Sequence, residues 1–224
     1  MNQKKQTQLA VLSMTGFIAL WAIVTDAWNY SAMLSQGQPV TVCRYLYGYF
    51  SRILWASPAF ILIRRFDRNL FWSRRQLFSR PKVEPIFAVF MVLTTIYALV
   101  SMALDHHFWN VSGEDFLFLT IKVFLVGIVE ETVFRGWGYN LLKNVRSNTV
   151  SLMISTSMFV VLHWPAYFIK LFLYGSFDRT GMISQSISAL LCGLLFAVML
   201  RRSGTLWNPV LAHFYYDWVL ELFA

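Results

Sequence analysis

The chain is built of long apolar runs broken by short polar stretches, and seven of these runs approach the roughly 20 residues a helix needs to cross a bilayer. They lie near 7–26, 45–63, 86–104, 116–142, 149–164, 182–200 and 206–223. The first holds no charge between Lys5 and Asp26. Its basic-then-apolar order is that of a signal peptide. However, "TDA" at 25–27 is a poor cleavage site and the apolar stretch is long, which favours a retained span. The fifth run stops at "HWP", because the residue before Pro165 is pushed away from helical conformation. The next piece, "AYFIKLFLYG" at 166–175, is too short to span and reads as a re-entrant or interfacial helix ending at Gly175.

Charge in the loops tests this map independently. Lys4 and Lys5 precede the first span, and Arg64, Arg65, Arg68, Arg74, Arg75, Arg80 and Lys82 follow the second. Lys143 and Arg146 follow the fourth, and Arg201 and Arg202 follow the sixth. If each run crosses once, all of these share one side. The other side receives Asp26, Asp105, Glu114, Asp115, Asp178 and Glu221. The alternation predicts seven crossings with the N-terminus cytoplasmic. "RRFDRNLFWSRRQLFSRPK", 64–82, reads either as an amphipathic helix on anionic headgroups or as an ordinary basic loop.

Composition agrees with lipid as the solvent. Apolar residues make up 57% of the chain and charged residues 13%, against roughly 45–50% and 25% in soluble domains. The net charge of +8 does not point to nucleic acid, because the cations sit between apolar runs rather than on one solvated face. Cys43 and Cys192 have no metal-ligand spacing and suggest no disulfide framework. The expected architecture is all-α: a polytopic transmembrane helical bundle of about seven or eight helices with an intramembrane polar cavity. It reads as one membrane-embedded unit, 1–224. Within it, 1–110 supply N-terminal spans and the basic loop, and 116–222 a helical core that carries the chemistry.

Ionisable groups inside spans are costly, so each is a functional hypothesis. The fourth run contains "VEETVFRGW", 129–137, with Glu130, Glu131 and Arg135. Glu131 and Arg135 lie one helical turn apart and can pair. Glu130 is turned about 100° away and is left over. The fifth run places Phe159 and His163 one turn apart, and the seventh places His213 and Asp217 on one face. A carboxylate and an imidazole on facing helices can deprotonate a water. A second imidazole with a polar neighbour can donate to an oxyanion. General-base hydrolysis inside the bilayer fits this set. A proton-coupled transporter would use the same residue types.

The residues also resemble a known family. "EETVFR" fits EExxxR, "FVVLH" fits FxxxH and "HFYYD" fits HxxxN/D. Three ordered motifs, spread over 116–222, are similar to those of the CAAX protease and bacteriocin-processing (Abi) family, relatives of the Ras-converting prenyl-protein endopeptidases. The resemblance implies a metal-independent intramembrane glutamate protease. In that pattern Glu130 and His163 activate water, and His213 with Asp217 stabilises the oxyanion. Glu131, Arg135 and Phe159 support them. Asp217 departs from the Asn of the prenyl-protein enzymes, and an ionised Asp accepts hydrogen bonds without donating them. It therefore either donates as a protonated acid or orients His213 as a carboxylate.

Zinc held by Glu and His from three helices is the alternative, but HExxH is absent, so no cofactor is expected. His106 and His107, in the loop after the third run, are a weak metal candidate. Gly136 and Gly138 predict close helix packing or a bend. The expected partners are the lipid bilayer and a membrane-associated or hydrophobic protein or peptide substrate, with no nucleic acid. The expected location is a bacterial cytoplasmic membrane. A non-proteolytic immunity or sensor-regulating scaffold remains open beside the transporter.

Overall fold

The computed structural model describes residues 2–34, 42–105 and 113–223, and they are almost entirely helical. Helix α1 spans Gln3–Leu34, α2 Val42–Arg65 and α3 Pro85–Asp105. Helix α4 begins as Gly113–Glu131, continues as a π-helical stretch over Thr132–Tyr139 and closes with the turn Asn140–Lys143. Then come α5 (Asn148–Leu162), α6 (Trp164–Tyr174), α7 (Arg179–Ser203) and α8 (Trp207–Phe223). Five helical stretches among the described residues are long and apolar enough to cross a membrane: Gln3–Thr25, Tyr45–Arg65, Pro85–Leu104, Asn148–Tyr174 and Arg179–Ser203. The fourth and seventh expected spans are not among them. Helix α4 carries Lys122, Glu130 and Glu131, and α8 is only 17 residues long. The two helices that miss those limits of length and composition are the ones that carry Glu130, Glu131, His213 and Asp217.

Burial explains how they are tolerated. The stretch 129–142 is buried without interruption, enclosed by α1, α2 and α5. A helix apolar or compensated all round belongs in the core of a bundle. Trp137 donates to Ser13 Oγ at 2.7 Å, and a Cβ on Gly138 would collide with the Met14 side chain, so α1 lies close against the π-helical stretch. Lipid-length apolar surface is displaced outward instead. On α3, Val89, Val92, Leu93, Ile96, Leu99 and Val100 are all exposed, while its inner face meets α8.

Segment 64–82 is not the amphipathic helix considered above. It forms a 3-10 turn at Asp67–Asn69 and a four-residue helical turn, Arg74–Leu77, with a capping box between Ser73 and Gln76. The rest is irregular because its side chains and backbone find better partners in the bundle. Leu70, Trp72 and Leu77 are buried. Asn140 Oδ1 accepts from Trp72 N at 2.7 Å and its Nδ2 donates to Trp72 O at 2.8 Å. Asn208 clasps the Lys82 backbone in the same two-way fashion, at 2.9 and 2.7 Å. A buried backbone needs such partners.

These contacts gather the basic segments at one end of the bundle. Leu206 N donates to Leu77 O at 2.7 Å, Asn144 Nδ2 to Asn69 O at 3.0 Å and Arg146 Nε to Thr7 Oγ1 at 3.0 Å. The segments before the first span and after the second, fourth and sixth thus meet, as the charge alternation requires. Expectations placed on His106 and His107 and on the Cys43 side chain lie outside the described residues.

Candidate active site

Local sequence dictates where each site residue stands. Pro165 has no N–H to continue the helix, so α5 ends and α6 starts around His163, whose imidazole is carried at the junction. Its Nδ1 lies 2.9 Å from Phe159 O. A carbonyl can only accept, so Nδ1 carries the hydrogen and Nε2 is free to accept. Helix α6 then ends at Gly175, whose φ of 63° is the left-handed cap expected of that glycine.

Two glycines set the spacing around the site. A Cβ on Gly127 would stand 3.0 Å from Val210 O, so α4 and α8 approach backbone to backbone just beside Glu130 and His213. A Cβ on Gly193 would stand 3.0 Å from Arg135 Nη2 and 2.9 Å from Thr156 Cγ2, so α7 leaves room there for the guanidinium.

Glu131 is the hub of the buried polar cluster. Its Oε1 accepts from Arg135 Nη1 at 3.0 Å and faces His213 Nδ1 at 3.0 Å, and both Glu131 and Arg135 are fully buried. Arg135 is further stabilised by the Phe159 ring, with Cζ 4.1 Å from its centroid. Phe159 also meets both imidazoles edge-on, at 5.0 Å for His163 and 5.9 Å for His213. The supporting pair expected from helical spacing is therefore a four-part assembly that includes His213. His213 Nε2 lies 3.3 Å from Asp217 Oδ2 and 4.0 Å from Glu130 Oε2.

The Oε2 atoms of Glu130 and Glu131 are both buried without a hydrogen-bond partner among the described residues, but Glu131 is anchored through its Oε1 by Arg135 and His213, whereas Glu130 comes no closer than 4.0 Å to His213 Nε2. Glu130 lines a cavity of about 310 Å³ together with Phe159, His163, His213 and Asp217. A second cavity of about 270 Å³, lined by Trp21, Leu162, Ala166 and Tyr167, shares Glu130 and His163 with the first. From Trp207 at the basic end, His213 lies about 9 Å and Glu221 about 21 Å along α8. His213 and Glu221 both line the larger cavity, so it extends along α8 away from the basic end.

Sequence reasoning passed over several lining residues. Phe196 stacks on His213 at 5.1 Å and gave no signal beyond being apolar in an apolar run. Ser188 and Tyr216 share a hydrogen bond of 3.0 Å across α7 and α8. Lys122 pairs with Glu221 at 2.9 Å, and Arg52 reaches the cavity from α2. The rule that singled out Glu130, an ionisable group within a span, applies equally to Arg52 and Lys122. Among the described residues no three His, Cys, Asp or Glu side chains converge as a metal ion would need.

Residues 112–219 match the family model described as Type II CAAX prenyl endopeptidase Rce1-like. No curated protein matches the chain, and no solved structure matches it.

Proposed function

Residues 112–219 match the Rce1-like type II CAAX prenyl endopeptidase family, and on that premise we propose that the chain hydrolyses a peptide bond of a membrane-associated substrate at Glu130. The observation that carries the reading is the Glu130 carboxylate, whose Oε2 is buried with no hydrogen-bond partner among the described residues, lining a cavity that His163, His213 and Asp217 also line.

In this reading Glu130 takes a proton from a water held between its carboxylate and His163 Nε2. The water oxygen bonds to the peptide carbonyl carbon, and the carbonyl oxygen takes up negative charge. His213 Nε2 is the donor to that oxygen. With Nδ1 given to Glu131, it can donate there only as the doubly protonated imidazolium, a form suited by carboxylates on both sides. Asp217 thus orients His213 as a carboxylate. The C–N bond then breaks as Glu130 passes its proton to the leaving amine. Each step uses groups of this chain and water.

We place the protein in a bacterial cytoplasmic membrane with the basic end cytoplasmic, from the positive-inside rule. The test compares membrane proteomes of cells carrying the unmodified chain and the Glu130→Gln variant. A polypeptide shortened only with the unmodified chain supports hydrolysis. Identical proteomes and identical phenotypes would favour a binding scaffold instead.

A further inference from the structure

The larger cavity contains a cation that this chemistry does not use. Arg52 comes from α2, outside the residues that match the family, and lines the cavity beside Glu130 and His163. Its Nη1 donates to Gly48 O at 2.8 Å, and its Cζ lies 5.5 Å from the centroid of the Trp21 ring. Its Nε is buried with no hydrogen-bond partner among the described residues. Lys122, the other cation lining this cavity, is already neutralised by Glu221. No described carboxylate forms an ion pair with Arg52.

A guanidinium fixed by a ring on one side and a carbonyl on the other presents its remaining N–H groups as a rigid fork, and that fork fits a carboxylate. Withdrawing it from water without an anion is costly, and an arriving anion would recover that cost. Glu130 and Glu221 act on Arg52 only through space, and no described carboxylate is in ion-pair contact with its guanidinium.

Building on the hydrolytic reading above, we propose that Arg52 is a specificity residue that binds a carboxylate of the substrate. Two sources offer that chemistry: the C-terminal carboxylate of a chain cut near its end, and an acidic side chain close to the scissile bond. Either would hold the peptide across the cavity with its carbonyl toward Glu130.

The test measures binding to the full-length Glu130→Gln protein in lipid nanodiscs, so that turnover does not interfere. The ligand is a short apolar peptide with an N-terminal fluorophore, prepared as free acid, as C-terminal amide and as amide with one internal glutamate. One of the two carboxylate forms is expected to bind roughly tenfold or more tighter than the plain amide. Preference for the free acid assigns the terminal carboxylate, and preference for the glutamate form assigns the side chain. Adding Arg52→Gln should abolish the preference, and Arg52→Lys should keep part of it. Thermal denaturation of both variants separates this from misfolding.

The proposal is overturned if the three peptides bind alike, if none binds, or if Arg52→Gln weakens all three equally. Cleavage by the unmodified protein is followed in parallel. A carboxylate preference without cleavage would sink the hydrolytic reading and leave the anion site standing. Cleavage without preference would do the reverse.

Discussion

His213 Nδ1 and Glu131 Oε1 lie 3.0 Å apart, on the same oxygen that accepts from Arg135. One carboxylate therefore ties α8 to the π-helical stretch and compensates a fully buried guanidinium. The adjacent glutamate, one residue earlier, makes no such bond. Two neighbours in sequence thus face different physical tasks.

That contrast predicts opposite phenotypes. Glu131→Gln leaves Arg135 buried without its counter-charge and should cost about 3–5 kcal/mol of stability. Glu130→Gln removes no hydrogen bond seen among the described residues, so folding should be nearly unchanged while hydrolysis falls by at least about 10²-fold. Unfolding in mixed micelles, read beside a cleavage assay, distinguishes them. Equal stability loss in both variants would contradict the assignment.

Phe159 touches Arg135 and both imidazoles with one ring. Phe159→Leu keeps apolar bulk but removes the ring face, and should cost about 0.5–2 kcal/mol from the lost cation contact alone. Activity should drop further than stability does, because both histidines lose a wall. The measurement is the unfolding midpoint together with the turnover of the variant.

Gly193→Ala brings a methyl group against Arg135 Nη2 and Thr156 Cγ2. Both neighbours belong to packed helices, so overpacking should destabilise by about 1–3 kcal/mol. Gly175→Ala provides a comparison of a different kind. Its cost comes from the left-handed φ, with no neighbour in the way, and it should leave cleavage intact.

Asn140→Ala strips two hydrogen bonds from the Trp72 backbone. Each buried group left unpaired should cost about 1–3 kcal/mol. Segment 64–82 should then loosen first. Limited trypsin digestion at Arg74 and Arg75 should become faster in this variant, with the helices still protected.

Arg75 and Ser176 sit at opposite ends of the bundle. With Cys43 and Cys192 replaced, a cysteine at Arg75 should react with an impermeant thiol reagent only from the cytoplasmic side, and one at Ser176 only from the other. Reaction from the same side would overturn the topology.

The sequence by itself determined the relationships that one helix imposes: the apolar runs, the alternating loop charge, the Glu131–Arg135 pair, and the shared face of His213 and Asp217. Helical rise and winding are set by local backbone sterics, so spacing along the chain already implies proximity. Pro165 likewise signalled the break beside His163. The tertiary structure alone decided what crosses between helices. Glu131 reaching His213, Phe159 standing between Arg135 and two imidazoles, Arg52 entering the cavity and Asn140 holding segment 64–82 out of a helix all depend on how elements are rotated and how closely they approach. Those quantities come from packing, at contacts such as Gly127 on Val210 and Gly193 on Arg135, where the absence of one methyl group sets the distance. No spacing within a single run encodes them.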